Sequence, residues 1–128
     1  MDDMEIVRTT MGVENPLRPG VIESLAEVLV DTGSELSWVP APVLDRLGIV
    51  RVKHTRRFQM ADGGVRVRGV GYAILHAGDE QTIDEVVFGE PGDMTLLGAR
   101  TLEGMNLRVD VQAKQLVAAG PILAAACR

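Results

Sequence analysis

Asp31 follows three β-forming residues, Val28-Leu29-Val30, and is followed at once by Thr32, Gly33 and Ser34. A carboxylate at a strand end suits acid/base chemistry when it sits in a turn where glycine permits unusual backbone angles and exposed amides can hydrogen-bond it. The same four residues suit an ordinary Asx turn, so the triplet alone decides little. Other chemistries have weaker support. His54 and His76 stand singly, without the cysteine or carboxylate spacing of a zinc site, which predicts no metal and no cofactor. Ser34 has no histidine placed for a catalytic triad. Gly63, Gly64, Gly69 and Gly71 do not lead from a strand into a helix, as a phosphate-binding loop must.

The elements that must position Asp31 are short strands. Ile6, Val7, Met11 and Val13 predict a strand over 4–13, and Asn15-Pro16-Leu17-Arg18-Pro19-Gly20 turns the chain into a second strand over 21–30 that delivers Asp31. A strand over 36–40 follows, then one short helix over 42–48 with proline in its first turn and Gly48 as its stop. Strands over 50–60 and 65–76 are joined by Ala61-Asp62-Gly63-Gly64, a strong hairpin signal. Gly69 and Gly71 interrupt the alternation of the second arm, which predicts either a bulge there or an arm made mobile by glycine. A strand over 82–88, a loop over 89–93, a short buried strand over 94–98, a helical turn over 99–103 and a closing hairpin of 107–111 with 115–119 complete the pattern. The expectation is an all-β, mostly antiparallel, barrel-like domain over 1–128, with a core of about 4–119, one or two short helices and an apolar tail over 120–128.

Composition narrows the function classes. The chain has 128 residues and four aromatics (two Phe, one Trp, one Tyr), so the core must come from Val, Leu, Ile, Ala and Met, with Trp38 inside it. A net charge of -5 argues against general nucleic-acid or anionic-membrane binding. The single cysteine, Cys127, allows no intrachain disulfide. The acidic start (Asp2, Asp3, Glu5) and the lack of a long apolar run suggest neither signal peptide nor anchor, and a cytoplasmic protein is expected. Charge is unevenly placed: Arg46, Arg51, Lys53, Arg56, Arg57, Arg66 and Arg68 are basic, whereas Asp79, Glu80, Asp84, Glu85, Glu90 and Asp93 are acidic with no base between them. These segments read either as solvated faces that pair with each other or as a field facing a substrate.

Asp31-Thr32-Gly33-Ser34-Glu35-Leu36-Ser37-Trp38-Val39-Pro40 resembles the active-site signature of aspartic proteases. Leu96-Leu97-Gly98, followed by a short helix and Leu107-Arg108-Val109-Asp110, resembles the segment that packs behind the catalytic loop in that clan, and the 61–64 hairpin falls where the family carries its flap. With one Asp-Thr-Gly in a chain of this length, the likeness is to the single-lobe retropepsin-like group, whose members work as homodimers. The resemblance implies an endopeptidase acting on a protein or peptide, with Asp31 catalytic. Thr32 would reach across to the partner's loop, Gly33 would present its amide to the carboxylate, and Ser34 would donate to its outer oxygen. Met60, Ala61, Asp62, Gly63 and Gly64 would form the flap, and Leu96, Leu97 and Gly98 would back the loop. The dimer contact would then use the Asp31 loop and the terminal segments, including the tail.

Two departures from the family pattern stand out. Many relatives follow the second-motif glycine with a basic and then an acidic or amide residue, but here Ala99 and Arg100 follow Gly98, which frees Arg100 to pair with Glu35. The hairpin tip also lacks an aromatic, since Phe58 and Tyr72 lie away from it. These departures keep an alternative open: a catalytically weak or inactive dimerisation or peptide-binding module on the same fold.

Overall fold

The computed structural model describes residues 6–124. Cys127, the last residues of the tail and the acidic residues 2, 3 and 5 lie outside them, as does the start of the first predicted strand at Met4. Strand structure predominates, with β1 (Arg8–Glu14), β2 (Ile22–Val30), β3 (Ser37–Pro40), β4 (Lys53–Gln59), β5 (Val65–Ala77), β6 (Glu80–Gly89), β7 (Leu96–Leu97), β8 (Leu107–Asp110) and β9 (Gln115–Ala118). The two helices, α1 (Ala41–Arg46) and α2 (Ala99–Met105), are short. No helix among the described residues is long and apolar enough to cross a membrane.

Seven strands form one mixed sheet in the order β1-β2-β7-β3-β6-β5-β4, and β1 also pairs with β5, so the hydrogen-bonded order returns to its start. β4 alone is left outside that ring, as the outer arm of the β4–β5 hairpin. β8 and β9 pair separately as the expected closing hairpin. The β1–β2 turn is fastened by side chains: Asn15 Oδ1 accepts the Leu17 amide at 2.9 Å while its Nδ2 donates to the Leu47 carbonyl, and Glu14 accepts the Gly20 amide at 2.7 Å. Asn15 and Glu14 are buried, so those bonds offset the cost of taking polar groups from water.

Two apolar clusters fill the fold. The larger is built from Val, Leu, Ile, Met and Ala with Phe88, as the scarcity of aromatics requires. The smaller comprises Leu36, Trp38, Val70, Val87 and Leu96, with Leu29, Phe58 and Met60 packed against it. Trp38 and Val39 contribute to different clusters, because successive side chains of a strand point to opposite faces and β3 is buried on both.

One local expectation is corrected. The irregularity in the hairpin lies in β4, not β5: Lys53 pairs with Val70 but Arg56 with Arg68, so the extra residue is on the first arm. The β5 glycines answer to crowding. A Cβ on Gly71 would stand 2.5 Å from the Val50 carbonyl oxygen, and one on Gly69 would stand 2.8 Å from the Arg51 side chain. β4 also begins at Lys53, later than its apolar pattern suggests, and α2 runs on to Met105.

Candidate active site

β2 runs parallel to β7, with Leu29 opposite Leu96 and Val30 opposite Leu97, and then ends at Asp31. β3, on the far side of the turn, meets β7 through Trp38 and Leu96. The two arms of the 31–36 loop therefore straddle Leu96-Leu97. The Asp31 amide donates to the Leu97 carbonyl at 2.9 Å, and the Ser34 amide to the Asp31 carbonyl at 3.1 Å. The Gly33 amide donates to Asp31 Oδ1 at 2.9 Å, as the resemblance implies.

Gly98 backs this loop by the absence of a side chain. A Cβ there would lie 2.5 Å from the Leu36 carbonyl oxygen and 2.9 Å from that of Ser34. Real side chains do not tolerate such approaches, so only glycine lets the start of α2 touch the loop backbone. The touch is hydrogen-bonded: Ala99 and Arg100 amides donate to the Ser34 and Glu35 carbonyls at 2.7 and 3.1 Å. Arg100 Nε stands 3.5 Å from Glu35 Oε2, the pairing expected from the altered residues after Gly98.

The loop opens onto a cavity of about 600 Å³. Asp31, Gly33 and Ser34 line it from below with Trp38 and Leu96, Phe58, Met60 and Ala61 line it from the hairpin, and Asp93 and Met94 line one side. Phe58 meets Trp38 edge-on, with ring centroids 5.2 Å apart at 62°, an arrangement favoured by the charge distribution of aromatic rings. That contact seats the hairpin on the smaller apolar cluster. The 90–93 loop is tied to the hairpin by Arg68, whose Nε and Nη2 reach Asp93 Oδ2 and Oδ1 at 2.7 and 2.9 Å. Those hydrogen bonds from Arg68 hold the Asp93 carboxyl below the ordinary range, against the effect of burial.

The residues expected from sequence divide in their placement. Asp31, Gly33, Ser34, Met60, Ala61 and Leu96 come together around the cavity. Leu97 and Gly98 stand behind the loop, buried. Asp62, Gly63 and Gly64 do not line the cavity; Asp62 Oδ1 accepts the Gly64 amide at 2.7 Å and so closes the hairpin turn. Thr32 is exposed, and among the described residues its hydroxyl has no hydrogen-bond partner. Ser34 departs from expectation. Its hydroxyl donates to the Leu36 carbonyl at 2.8 Å, which occupies its one proton and leaves none for the carboxylate.

The basic and acidic segments pair in part. Lys53 meets Glu85 at 3.3 Å, and Arg68 meets Asp93 and, at 3.7 Å, Glu90. Arg46 and Arg51 pair elsewhere, with Glu23 and Asp45. Asp93, Met94 and Phe58 were not anticipated as part of the site. Their signal was positional: Asp93 closes the loop just ahead of Leu96-Leu97-Gly98, and Phe58 lies two residues before Met60, the spacing that puts side chains on one face of an extended chain. Among the described residues no group of three or more His, Cys, Asp or Glu side chains stands together as a metal site. Compared with models of known protein families the chain matches none, and no curated protein sequence matches it.

Proposed function

We propose that the chain is a retropepsin-like aspartic endopeptidase, a single-lobe barrel that hydrolyses peptide bonds of proteins or peptides as a cytoplasmic homodimer. One observation carries this reading: the Asp31-Thr32-Gly33 turn is gripped from behind by Leu97 and Gly98 and opens onto the same cavity as the β4–β5 hairpin. Three separately weak sequence elements thus meet at one place.

The chemistry explains why a second copy is required. Hydrolysis by this route needs one carboxylate to take a proton from water as its oxygen attacks the peptide carbonyl carbon. It needs one carboxylic acid to protonate the carbonyl oxygen. A two-fold axis beside Asp31 supplies both groups. Two like carboxyls that close share one proton, which gives one of them the acid's part and the other the base's. Thr32, exposed at the turn, is free to bond the partner's loop, and the Gly33 amide steadies the carboxylate within its own chain.

The alternative is a peptide-binding or dimerisation module of low or no activity. It is favoured by the hairpin, whose tip residues Asp62, Gly63 and Gly64 lie off the cavity. Cleavage of a peptide library by wild type and Asp31→Asn, with dimerisation measured in both, separates the two. The peptidase reading expects cleavage by wild type only, with dimers in both; equal cleavage by the two proteins ends it.

A further inference from the structure

Behind the Asp31 loop runs a line of hydrogen bonds through β3, α2 and β6. The Gly98 amide donates to Ser37 Oγ at 2.9 Å. The Ser37 and Thr101 hydroxyl oxygens are 2.6 Å apart, and Thr101 Oγ1 donates to Asp84 Oδ2 at 3.2 Å. The ends fix the direction of the middle bond. Thr101 gives its one proton to Asp84 and so can only accept from Ser37, while the Gly98 amide can only donate, so the protons run one way, Ser37 to Thr101 and Thr101 to Asp84.

Ser37 and Thr101 are fully buried, and Asp84 is partly buried. Burial raises the Asp84 carboxyl above its ordinary range, and the Glu85 amide, the Thr101 hydroxyl and Arg100 oppose that rise. Two fully buried hydroxyls ending on a half-buried carboxylate are a costly filling unless their directions matter. Here they end on the amide of Gly98, a residue with no side chain by which it could be held. Any shift of Gly98 carries Leu97, whose carbonyl receives the Asp31 amide, and presses on the Ser34 and Leu36 carbonyls.

We infer that Thr101 and Asp84 are positioning residues for the Asp31 carboxylate, acting through Ser37 and Gly98 on the segment that grips the loop. The inference rests on the peptidase reading of Asp31 for its catalytic consequence. Its structural part is independent of that reading. Catalytic groups must be held to fractions of an ångström, and a one-way chain of bonds resists displacement better than apolar packing that can slide.

The test compares wild type with Thr101→Val, which keeps the shape and removes the hydroxyl, and Thr101→Ser, which restores it. Two readouts are taken: Asp31-dependent peptide cleavage, and the amide resonances of Gly33 and Gly98. Thr101→Val is expected to lose about tenfold in kcat with KM little changed, and to move both glycine resonances, while Thr101→Ser recovers both. Asp84→Asn, whose amide must turn one end toward the Glu85 N–H, is expected to move the same resonances and lose about threefold in kcat. It also serves if Thr101→Val does not fold. Unmoved Gly33 and Gly98 resonances in a folded variant overturn the inference, as does kcat lost only in proportion to unfolding. Moved resonances without any Asp31-dependent cleavage in wild type sustain the positioning and remove the peptidase reading instead.

Discussion

The floor of the cavity and its roof are held by different kinds of interaction. The floor, Asp31 to Leu36, is fastened by backbone hydrogen bonds to Leu97, Ala99 and Arg100 and by a contact that only Gly98 permits. The roof, the β4–β5 hairpin, has one arm outside the closed strand order and is seated by the Phe58–Trp38 contact and the Arg68–Asp93 pair. Backbone contacts to the buried Leu97–Gly98 segment leave the loop little freedom, whereas side-chain contacts at a hairpin can open and close without unfolding the rest. The difference is the one the proposed peptidase would need, with Asp31 held still under a cover that admits a chain.

The largest expected effect comes from spoiling the floor. Gly98→Ala puts a methyl against the Leu36 and Ser34 carbonyls, which cannot yield without moving the Asp31 loop. A loss of about 3 kcal/mol in urea unfolding, with cleavage abolished, is expected. Gly63→Ala at the roof's tip is the control: φ is +86° but nothing lies within 4 Å, so the cost is about 1 kcal/mol from backbone strain alone. Equal losses at the two sites would erase the distinction between floor and roof.

The floor was legible in the sequence and the roof only in outline, for a physical reason. Val28-Leu29-Val30-Asp31-Thr32-Gly33 and Leu96-Leu97-Gly98 announce themselves through local chemistry: β-formers running into turn residues, and a glycine after a buried pair. The Asp62-Gly63-Gly64 turn is equally local. The contacts that seat the hairpin join residues far apart in sequence, Arg68 with Asp93 and Phe58 with Trp38, and no periodicity reports them. The β4 bulge was misplaced for a related reason. Glycines signal irregularity, but Gly69 and Gly71 are there to let Arg51 and the Val50 carbonyl approach, while the inserted residue sits opposite them. Ser37 and Ser34 show the same limit, since a hydroxyl's partner depends on which carbonyl or amide the fold brings near.

A smaller effect tests the roof through pH. Asp93 is held below its ordinary range by Arg68, and both side chains are about one-tenth exposed. A carboxyl with a depressed folded pKa contributes stability that is present above its unfolded value, about 3.9, and lost as pH falls through the folded one. The hairpin should therefore loosen below about pH 4. The fluorescence of Trp38, the chain's one tryptophan, whose ring meets Phe58 of the hairpin edge-on, reports that opening. Arg68→Met is expected to cost about 2 kcal/mol at neutral pH and to flatten this acid-range dependence. If the variant's Trp38 fluorescence keeps the wild-type pH profile, the pair does not fasten the roof.

The smallest effect concerns what the roof selects. Phe58 and Arg66 are register partners across the hairpin, so Arg66 lies on the face that Phe58 turns toward Trp38. Glu35 and Asp93, which also line the cavity, are matched with Arg100 and Arg68. Arg66 is matched only loosely, 3.8 Å from Asp62 with both side chains exposed, and Asp62 already accepts the Gly64 amide. Its charge is thus available to a substrate carboxylate. Arg66→Gln is expected to lower kcat/KM for peptides acidic near the cleaved bond by about threefold at low salt, and to leave neutral peptides unchanged. Added salt should shrink the wild-type preference toward that of the variant. A preference for acidic peptides insensitive to both salt and Arg66→Gln would make the roof's charge a solvated face, and substrate choice would then fall to the apolar floor of Trp38 and Leu96.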